Sequence, residues 1–326
     1  MKLSVVIPIF NEEENIRPMF DELKAVLDTL DSDYEIIFVD DGSTDSSLQL
    51  LKQVAEECDR VVVVSFRRNF GQTAAMAAGF DYASGDIIVT MDGDMQNDPH
   101  DIPKLLATLE QGYDLVSGWR FDRQDRFLSR RLPSMIANKI ISVVTGVHLH
   151  DYGCTLKAFR REITDGLRLY GEMHRFIPAL ASGMGSRITE IKVNHRPRRF
   201  GTSKYGISRT IRVILDLITV KFLLSYATRP LQVFGLLGVF SGGIGTLLVV
   251  LLIIQRQFFD IPLANRPLFL LAILLIFMGL QFISLGLLGE MQARTYHESQ
   301  GKPIYAVRRV ITAQTVHSHA SSPEEA

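Results

Sequence analysis

The stretch that decides the fold is Asp86-Ile87-Ile88-Val89-Thr90-Met91-Asp92-Gly93-Asp94. Its continuous apolar run is typical of a parallel β-strand that is buried on both faces. Two aspartates follow at the point where this strand ends. In open α/β sheets, ligands bind outside the carboxyl ends of the strands. The stretch therefore predicts a parallel sheet that presents a pair of carboxylates to a ligand.

Two other predicted strands also end in polar residues. The first leads into Pro8-Ile9-Phe10-Asn11-Glu12, and the second into Asp40-Asp41-Gly42-Ser43. We predict Asn11 as the N-cap of the helix that follows, with Glu12, Glu13 and Glu14 in its first turn. This βαβ alternation predicts a mostly parallel sheet with helices on both sides. The predicted strands are Leu3–Ile7, Tyr34–Val39, Val61–Phe66, Asp86–Met91 and Asp114–Ser117.

Composition excludes several classes of protein. The chain has 326 residues, with 35 Lys and Arg against 36 Asp and Glu, and this balance argues against a general nucleic-acid binder. Two cysteines, Cys58 and Cys154, are too few for a disulfide scaffold and form no CxxC pair. A reduced, cytosol-facing catalytic part is therefore expected. We predict no signal peptide at the N-terminus.

Two long segments without charge predict a membrane hairpin. Pro230 to Ile254 and Pro267 to Gly289 each exceed the roughly 20 residues that span a bilayer core, and soluble core helices are rarely so uniformly apolar. Gly238 and Gly242 form a GxxxG pair that can mark a helix contact. The connector carries only Arg256 and Arg266. More positive residues lie outside the hairpin, which predicts cytoplasmic termini; they are Arg209, Arg212, Lys221, Arg229, Arg294, Lys302, Arg308 and Arg309.

Basic segments on either side of the middle of the chain leave two interpretations open. Residues 192–212 contain seven basic residues and no acid, so they suit either a phosphate-binding loop or a patch attracted to anionic lipid. The arginines between residues 120 and 131 suit either an anion site or a solvated face. Residues 206–229 mix apolar and charged positions, which predicts amphipathic helices on the membrane surface.

The three strand-end motifs acquire a specific meaning together with four others. These are Asn69-Phe70-Gly71-Gln72, Asp151-Tyr152-Gly153-Cys154, His174-Arg175-Phe176-Ile177-Pro178 and Arg198-Arg199-Phe200-Gly201-Thr202-Ser203-Lys204-Tyr205. The chain resembles the family 2 glycosyltransferases, which have the nucleotide-sugar-binding GT-A fold. Within that family it resembles the polyisoprenyl-phosphate glycosyltransferases. The resemblance covers nearly the whole chain.

This resemblance implies an inverting transfer of a hexose from a nucleotide-diphosphate sugar to undecaprenyl or dolichyl phosphate at the cytoplasmic membrane face. UDP-glucose is the favoured donor, with GDP-mannose or a UDP-amino sugar as the alternative. A processive polysaccharide synthase would carry a QxxRW motif, which this sequence lacks. A further alternative from another class is a non-enzymatic membrane scaffold or flippase component. The resemblance also implies a homo-oligomer, with a tetramer expected.

The resemblance also implies roles for individual residues. Asp151 would lie near the anomeric carbon as catalytic base, or would position substrate, because a phosphate acceptor is already ionised; an ordinary turn residue is the remaining alternative. The other expected roles are Mg²⁺ or Mn²⁺ binding by Asp92, Asp94 and Gln96; nucleotide binding by Pro8, Phe10, Glu12, Asp40, Asp41, Arg198, Ser203 and Lys204; lipid-phosphate binding by Arg120, Arg130 or Arg131, and Ser134; and shaping of the sugar site by His174 and Arg175.

These expectations divide the chain into four parts. Residues 1–205 form the α/β GT-A domain, and residues 206–229 form the juxtamembrane helices. Residues 230–290 hold two spans at about 231–254 and 267–289. Residues 291–326 form a cytoplasmic C-terminal tail.

Overall fold

The structure is a computed structural model. It describes residues 1–121, 138–139, 141–143, 145–169, 173–197, 230–259, 262, 266–299 and 304–313. The chain divides into two compact units, one holding residues 1–220 and 303–326 and the other holding residues 221–302. Each unit is described by itself below.

Within the described residues, the first unit is built on one eight-stranded sheet. Its strands lie in the order β7-β5-β6-β4-β1-β2-β3-β8. Strands β4, β1, β2 and β3 are mutually parallel, as are β5 and β7, whereas β6 and β8 pair antiparallel with their neighbours. The predicted mostly parallel sheet is confirmed. The strands are β1 (Lys2–Ile9), β2 (Asp33–Asp40), β3 (Val61–Phe66), β4 (Ile87–Thr90), β5 (Leu115–Arg120), β6 (Lys157–Arg160), β7 (Ile188–Val193) and β8 (Val307–Ile311).

Helices flank this sheet and leave its central strands without contact with water. Val5, Ile36, Phe38 and Val63 are all completely buried, as expected for strands that are covered on both faces. Helix α3 approaches β1 closely, because a Cβ on Gly79 would lie 2.0 Å from the Val6 side chain. The helices are α1 (Glu13–Leu27), α2 (Ser47–Glu57), α3 (Gln72–Tyr82), α4 (Ile102–Glu110), α5 (Arg161–Gly166) and α6 (Ile177–Gly183), with short 3₁₀ turns at Pro99–Asp101 and Met173–Arg175.

The predicted start of the first helix was wrong by one residue. Helix α1 begins at Glu13, with Glu12 at the N-cap position, and Asn11 precedes it with a left-handed φ of 53°. Asn11 does not cap the helix, because its side-chain oxygen accepts a hydrogen bond from the Thr44 backbone N–H at 2.8 Å. A short Asn side chain tolerates this backbone region better than most residues do. Asn11 therefore joins two loops.

The second unit contains two long apolar helices, α7 (Pro230–Phe259) and α8 (Pro267–Ser299). Segments Phe234–Phe258 and Pro267–Gly289 have mean hydropathies of 2.5 and 2.6, and only 22% and 11% of an apolar 18-residue stretch within each is buried. Such exposure of apolar residues argues against soluble core helices. Both segments are long enough to cross a bilayer, so the two helices have the properties of a transmembrane hairpin.

Small residues bring the two helices of the hairpin into backbone contact. A Cβ on Gly279 of α8 would lie 2.6 Å from the Gly238 carbonyl oxygen and 2.8 Å from the Gly242 nitrogen of α7. A Cβ on Gly245 would meet the Ala272 carbonyl oxygen at 2.6 Å. The GxxxG pair Gly238 and Gly242 thus lies at a helix contact, as the sequence suggested.

The C-terminal part of the chain contributes a strand that sequence analysis missed. The sequence predicts a C-terminal tail at residues 291–326, but within that range β8 pairs antiparallel with β3 and belongs to the first unit. Val307-Arg308-Arg309-Val310-Ile311 is too short for its weak alternation to be recognised by pattern alone. The whole predicted juxtamembrane segment 206–229 and the residues after Ala313 lie outside the described residues.

Glu35, which is buried on β2, is predicted to make the stability of the folded protein depend on pH in the acidic range. Its carboxylate accepts hydrogen bonds from the Ser4 hydroxyl at 2.6 Å and the Ser84 backbone N–H at 2.6 Å, and pairs with Lys2 at 3.0 Å. Burial raises the pKa of Glu35, but these hydrogen bonds outweigh it and hold the pKa below the ordinary 4.5. Because the folded-state pKa is depressed, the stabilisation is present above pH 4.5 and is lost as the pH falls through the folded-state pKa.

We therefore expect Glu35→Gln to destabilise the protein at pH 7 by about 1–3 kcal/mol, as a lost hydrogen-bonded charge would. The difference in thermal midpoint between wild type and Glu35→Gln should narrow as the pH is lowered below about 4.5. Thermal unfolding from pH 3.5 to 7 measures this. Glu57→Gln, at an exposed ion pair with Arg17, is the control and should change the midpoint little at any pH. A constant difference between Glu35→Gln and wild type at all pH values would contradict the prediction.

Candidate active site

The carboxyl ends of β4, β1 and β2 form one edge of the sheet and bring the predicted motifs together. Ile9 at the end of β1 lies in register with Asp40 at the end of β2, and Val6 of β1 pairs with Thr90 of β4. The loops that start with Phe10, Asp41 and Met91 therefore emerge side by side. This is the edge at which open α/β sheets bind ligands.

Asp40 and Asp41 are both buried, and they hold different parts of this edge. Asp40 accepts hydrogen bonds from the Ser43 backbone N–H and the Ser65 hydroxyl, each at 3.0 Å. Asp41 accepts from the backbone N–H groups of Phe70 at 2.6 Å and Gly71 at 2.9 Å. Burial raises the pKa of Asp41 to about 6, although both N–H groups favour its charged form. Asp41 thus fixes the loop that precedes α3.

Gly42 permits the turn that separates these two acids from α2. Its φ is 68°, in the left-handed region, and a Cβ there would lie 2.5 Å from the backbone carbon of Arg68. Any L side chain would meet both obstacles. A glycine at position 42 is therefore required by its left-handed backbone and by the close approach of the loop between β3 and α3.

The β1–α1 loop is joined to the β2–α2 loop by hydrogen bonds. The Asn11 backbone N–H donates to the Ser43 hydroxyl at 3.0 Å, and the Glu12 backbone N–H donates to the Ser47 hydroxyl at 2.9 Å. The Glu12 side chain also accepts from Asn15 at 2.6 Å. Pro8 is partly exposed near the end of β1, and Phe10 is partly exposed at the start of the loop that follows. The described residues predicted to bind nucleotide thus lie at the ends of β1 and β2 and on the two interlocked loops that follow these strands.

Asp92 is held by partners from three other segments of the chain. Its Oδ1 accepts from the Gln72 side chain at 2.8 Å, and its Oδ2 accepts from the Thr155 hydroxyl at 2.6 Å. Its backbone N–H donates to the Asn97 side chain at 2.8 Å, and the Thr155 hydroxyl contacts the same Asn97 oxygen at 3.1 Å. This network fixes the orientation of the Asp92 carboxylate.

Asp94 and Gln96 lie on a tight turn that follows. The Gln96 backbone N–H donates to the Asp94 carboxylate at 3.2 Å, and Met95 between them has a left-handed φ of 59°. The Gln96 backbone oxygen accepts from the Arg196 N–H at 3.0 Å, and the Gln96 side chain donates back to the Arg196 carbonyl at 3.3 Å. The turn is therefore clamped to the segment that follows β7.

A second acidic group nearby is already neutralised. Glu22, Asp98 and His100 lie close enough together to suggest a metal site. However, the Arg196 guanidinium contacts Glu22 at 2.8 Å and Asp98 at 2.7 Å. This cluster therefore anchors Arg196.

The residues Asp92, Asp94 and Gln96 fit a divalent cation. Carboxylate and amide oxygens are the hard donors that Mg²⁺ and Mn²⁺ prefer. Burial, followed by the adjacent charge of Asp94, raises the pKa of Asp92 to about 6, so two carboxylates are held together at an electrostatic cost. A cation at this place would relieve that cost. The donor set supports the predicted metal site.

Arg120 and Asp151 form a bidentate ion pair in which Asp151 is buried and Arg120 is partly buried. The Arg120 Nε donates to Asp151 Oδ2 at 2.6 Å, and its second contact to Oδ1 is 2.9 Å long. The Gly153 backbone N–H adds a third hydrogen bond to Asp151 at 3.0 Å. Burial lowers the pKa of Arg120, but the pairing with Asp151 outweighs it and raises the pKa overall. The predicted base and the predicted phosphate ligand are thus in direct contact.

His174 is a neutral buried residue at this site. Its Nδ1 lies 2.8 Å from the Thr73 hydroxyl on the first turn of α3. Burial, together with the charges of Arg175 and Lys157, lowers the pKa of His174 to about 3. At neutral pH its imidazole therefore carries no charge. It is suited to hydrogen bonding and to shaping of the site.

Lys157 is a buried cation that sequence analysis did not single out. It is 2% exposed at the start of β6, and its ammonium group donates to the Cys154 carbonyl. Burial lowers the pKa of Lys157, while the charges of Asp151 and Asp92 act in the opposite direction. Its charge therefore interacts with both acids.

Several predicted site residues cannot be placed. Arg130, Arg131 and Ser134 of the acceptor site lie outside the described residues, as do Arg198, Ser203 and Lys204 of the diphosphate loop. Their roles stay predictions.

Sequence reasoning also missed residues that position the acids. Gln72, Asn97 and Thr155 surround Asp92, and Thr73 holds His174. Gln72 belongs to the Asn69-Phe70-Gly71-Gln72 motif, which was noticed without a role. Nothing in the local sequence around Asn97 or Thr155 indicates that they meet Asp92, because Thr155 is far from it along the chain.

Thr155 provides a direct test of the metal site. We expect Thr155→Ala to lower the apparent affinity for Mn²⁺ roughly 10- to 100-fold, because residues that orient metal ligands have effects of this size. Thr155→Ser retains the hydroxyl and is the matched control. Transfer activity measured against Mn²⁺ concentration gives the apparent affinity. Equal affinities in wild type and Thr155→Ala would contradict the role of Thr155.

Comparisons with known proteins identify the family of this chain. The sequence model of the family "Glycosyl transferase family 2" matches residues 4–168. Dodecaprenyl-phosphate galacturonate synthase of Rhizobium johnstonii is 45% identical over 319 residues, which cover 97% of this chain and 94% of that protein. Undecaprenyl-phosphate 4-deoxy-4-formamido-L-arabinose transferase of Aeromonas hydrophila is 38% identical, covering 99% of this chain and 98% of that protein.

A solved structure supports the fold. Glucosyl-3-phosphoglycerate synthase of Mycobacterium tuberculosis, solved in complex with Mn²⁺, UDP and glucosyl-3-phosphoglycerate, has a TM-score of 0.53 at 22% identity. The match covers 68% of the present chain and 79% of the synthase chain. The predicted GT-A architecture is confirmed. Since the family match and the two relatives together span nearly the whole sequence, this protein belongs to glycosyl transferase family 2 and is a glycosyltransferase.

Proposed function

We propose that this protein is an inverting, metal-dependent transferase that moves a sugar from a nucleotide diphosphate to a polyprenyl phosphate. The proposal is supported by the Asp92–Asp94 turn, whose Asp92 interacts electrostatically with Arg120 of the Arg120–Asp151 pair, in a chain whose relatives are named for polyprenyl-phosphate substrates. The acidic turn would serve the nucleotide-sugar donor, and Arg120 would serve the polyprenyl-phosphate acceptor.

The donor would bind on the interlocked loops after β1 and β2. Pro8, Phe10, Glu12 and Asp40 would frame the base and ribose, while Asp41 would act indirectly through its hydrogen bonds to Phe70 and Gly71. Asp92, Asp94 and Gln96 would hold Mg²⁺ or Mn²⁺. A bound cation would neutralise charge on the diphosphate leaving group. Arg198, Ser203 and Lys204 are proposed to approach the same diphosphate.

The acceptor would bind near Arg120. Only part of its guanidinium is used by Asp151, and an arginine in this state can still donate to a phosphate oxygen. Arg130 or Arg131, together with Ser134, would complete the phosphate site. The acceptor oxygen would attack the anomeric carbon on the side opposite the leaving diphosphate. This inverts the configuration and requires no covalent intermediate on the enzyme.

Asp151 would orient Arg120 and the substrates. Its carboxylate accepts two hydrogen bonds from Arg120 and one from Gly153, and hydrogen bonds to the charged form make a carboxylate a weaker base. The phosphate monoester acceptor is largely ionised at neutral pH. Most acceptor molecules therefore carry no proton that a base would have to remove before the attack. His174 and Arg175 would shape the sugar site, with His174 neutral.

The hairpin of α7 and α8 would anchor the enzyme at the cytoplasmic face of a membrane. The distribution of positive residues favours cytoplasmic termini, since the connector carries fewer of them than the flanks do. That orientation would place the catalytic unit beside nucleotide sugars and beside the lipid phosphate. Homo-oligomerisation, with a tetramer expected, stays a prediction by resemblance.

The donor sugar is the finer part of the proposal. The resemblance favoured UDP-glucose, whereas the two relatives are named for galacturonate and 4-deoxy-4-formamido-L-arabinose. Undecaprenyl and dolichyl phosphate are the acceptors proposed from the resemblance, and dodecaprenyl phosphate is added by the name of the first relative. Both sets belong in one test.

A substrate panel tests the reaction itself. Full-length enzyme in detergent is incubated with Mn²⁺, each polyprenyl phosphate, and radiolabelled UDP-glucose, UDP-galacturonate, a UDP-amino sugar or GDP-mannose. We expect label from one donor to enter the lipid phase, and we expect EDTA or Asp94→Ala to abolish this transfer. A folded enzyme that labels no lipid from any donor would sink the proposal and favour the scaffold alternative.

Asp151→Asn separates positioning from base catalysis. We expect turnover to fall roughly 10- to 100-fold, as the loss of a charged hydrogen bond would produce, and we expect this factor to stay constant from pH 6.5 to 9. Arg120→Lys, which keeps the charge but loses the bidentate geometry, should behave in the same way. A defect in Asp151→Asn that is relieved at high pH would identify Asp151 as a base instead.

A further inference from the structure

The segment that follows the membrane hairpin along the chain packs against the donor side of the catalytic sheet. Strand β8 pairs antiparallel with β3, with Ile311 opposite Val63 and Val307 opposite Phe66. The pairing is irregular between Ser65 and Phe66, where β3 ends. Just before β8, the Arg67 backbone N–H donates to the Ala306 carbonyl at 3.1 Å. The C-terminal segment thus reaches the start of the loop between β3 and α3.

Tyr305 makes the contacts that extend farthest toward the site. Its ring stacks on Phe66 with centroids 5.1 Å apart and an interplanar angle of 14°. Phe66 in turn meets Phe70 edge to face at 5.7 Å, and the Arg68 guanidinium covers Phe70 at 4.2 Å. Aromatic pairs in these arrangements are attractive beyond the area they bury. Tyr305, Phe66 and Phe70 form one aromatic cluster.

This aromatic cluster is connected directly to the acids after β2. The Phe70 backbone N–H donates to Asp41, and Ser65, which precedes Phe66, donates its hydroxyl to Asp40. Movement of Phe66 or Phe70 would therefore change the geometry of both carboxylates.

A second path runs through α3. The Tyr305 hydroxyl donates to the Asp81 carboxylate near the end of this helix at 2.7 Å. Helix α3 begins at Gln72, whose side chain donates to Asp92. Its next residue, Thr73, contacts His174. Tyr305 therefore contacts the helix that carries the Asp92 partner directly, and it reaches Phe70, one of the Asp41 partners, through the ring of Phe66.

We propose that Tyr305, which precedes β8 in the C-terminal segment, is a positioning residue for nucleotide and metal binding. The proposal rests on the donor site described under Proposed function. Tyr305 itself touches neither of the proposed substrates. It acts by holding the Phe70–Gly71 backbone and α3, so its loss should weaken donor binding and leave acceptor binding unchanged.

The experiment uses full-length enzyme in detergent, with UDP plus Mn²⁺ as the binding probe in calorimetry. We expect Tyr305→Ala to raise the dissociation constant at least about fivefold, the lower end of typical coupling between sites. Tyr305→Phe keeps the ring stack and loses only the bond to Asp81, so we expect a rise of roughly twofold. In transfer assays, KM for the donor should rise in parallel, while KM for the polyprenyl phosphate stays unchanged.

Two variants on the same strand provide the controls. Arg308→Ala removes an exposed side chain and should leave UDP binding and stability unchanged. Ile311→Ala removes a buried contact on β8 that lies away from the aromatic cluster, so it should lower the thermal midpoint with a smaller effect on UDP binding than Tyr305→Ala. If UDP affinity followed the thermal midpoint across all four variants, Tyr305 would have only a structural role.

Hydrogen exchange separates failure of this proposal from failure of the proposed function. The amides of Phe70 and Gly71, which are bonded to Asp41, should exchange faster in Tyr305→Ala than in wild type, with or without nucleotide. A wild type that binds no UDP with Mn²⁺, and is indistinguishable from Asp94→Ala, would count against the donor site. Unchanged exchange at Phe70 and Gly71 in a folded Tyr305→Ala protein would overturn the positioning role.

Discussion

The structure depends on keeping several carboxylates buried at one edge of a parallel sheet. Asp40, Asp41 and Asp151 are each at most 3% exposed, and a buried charge is costly unless hydrogen bonds or an opposite charge compensate it. The compensating groups come from other parts of the chain: Ser65 for Asp40, Phe70 and Gly71 for Asp41, and Arg120 for Asp151. The loops around the edge are therefore fixed by the acids that they surround.

Acids that look alike in the sequence have different roles in the structure, because each is compensated by different partners. Both carboxylate oxygens of Asp41 accept hydrogen bonds from backbone N–H groups, and this stabilises the loop before α3. Asp92 is oriented by two side chains, and Asp94 stands beside it on a strained turn, an arrangement that suits a shared cation. Asp151 pairs with Arg120 and so fixes the position of its guanidinium, on the side of the site where the acceptor is proposed to bind. The chemistry of the edge thus follows from the partner that each acid has.

The two units are stabilised by different kinds of packing. In the catalytic unit, apolar strands and helices bury their surfaces away from water, which is the dominant favourable contribution to folding. In the hairpin, large apolar side chains remain exposed and the helices meet through Gly238, Gly242 and Gly279. Burial from water offers little to helices surrounded by lipid, so close backbone contact replaces it. The chain therefore combines a catalytic unit with the hydrophobic core of a globular protein and a helical hairpin packed in the way typical of membrane proteins.

Sequence alone determined the local features of this protein. The strands predicted at Leu3–Ile7, Tyr34–Val39 and Asp86–Met91, which the structure contains as β1, β2 and β4 with slightly different ends, follow from periodicity and length, as do the parallel sheet and the two apolar helices, because burial on both faces requires continuous apolar runs. Asp40, Asp41, Asp92 and Asp94 were indicated by their position at strand ends, whereas Asp151 was indicated by the family resemblance. What only the tertiary structure decided is which groups meet across long sequence separations: Thr155 with Asp92, Arg120 with Asp151, and Tyr305 with Phe66. A hydrogen bond or a ring stack between distant residues leaves no period in the local sequence, so these contacts appear only when the sheet brings the segments together.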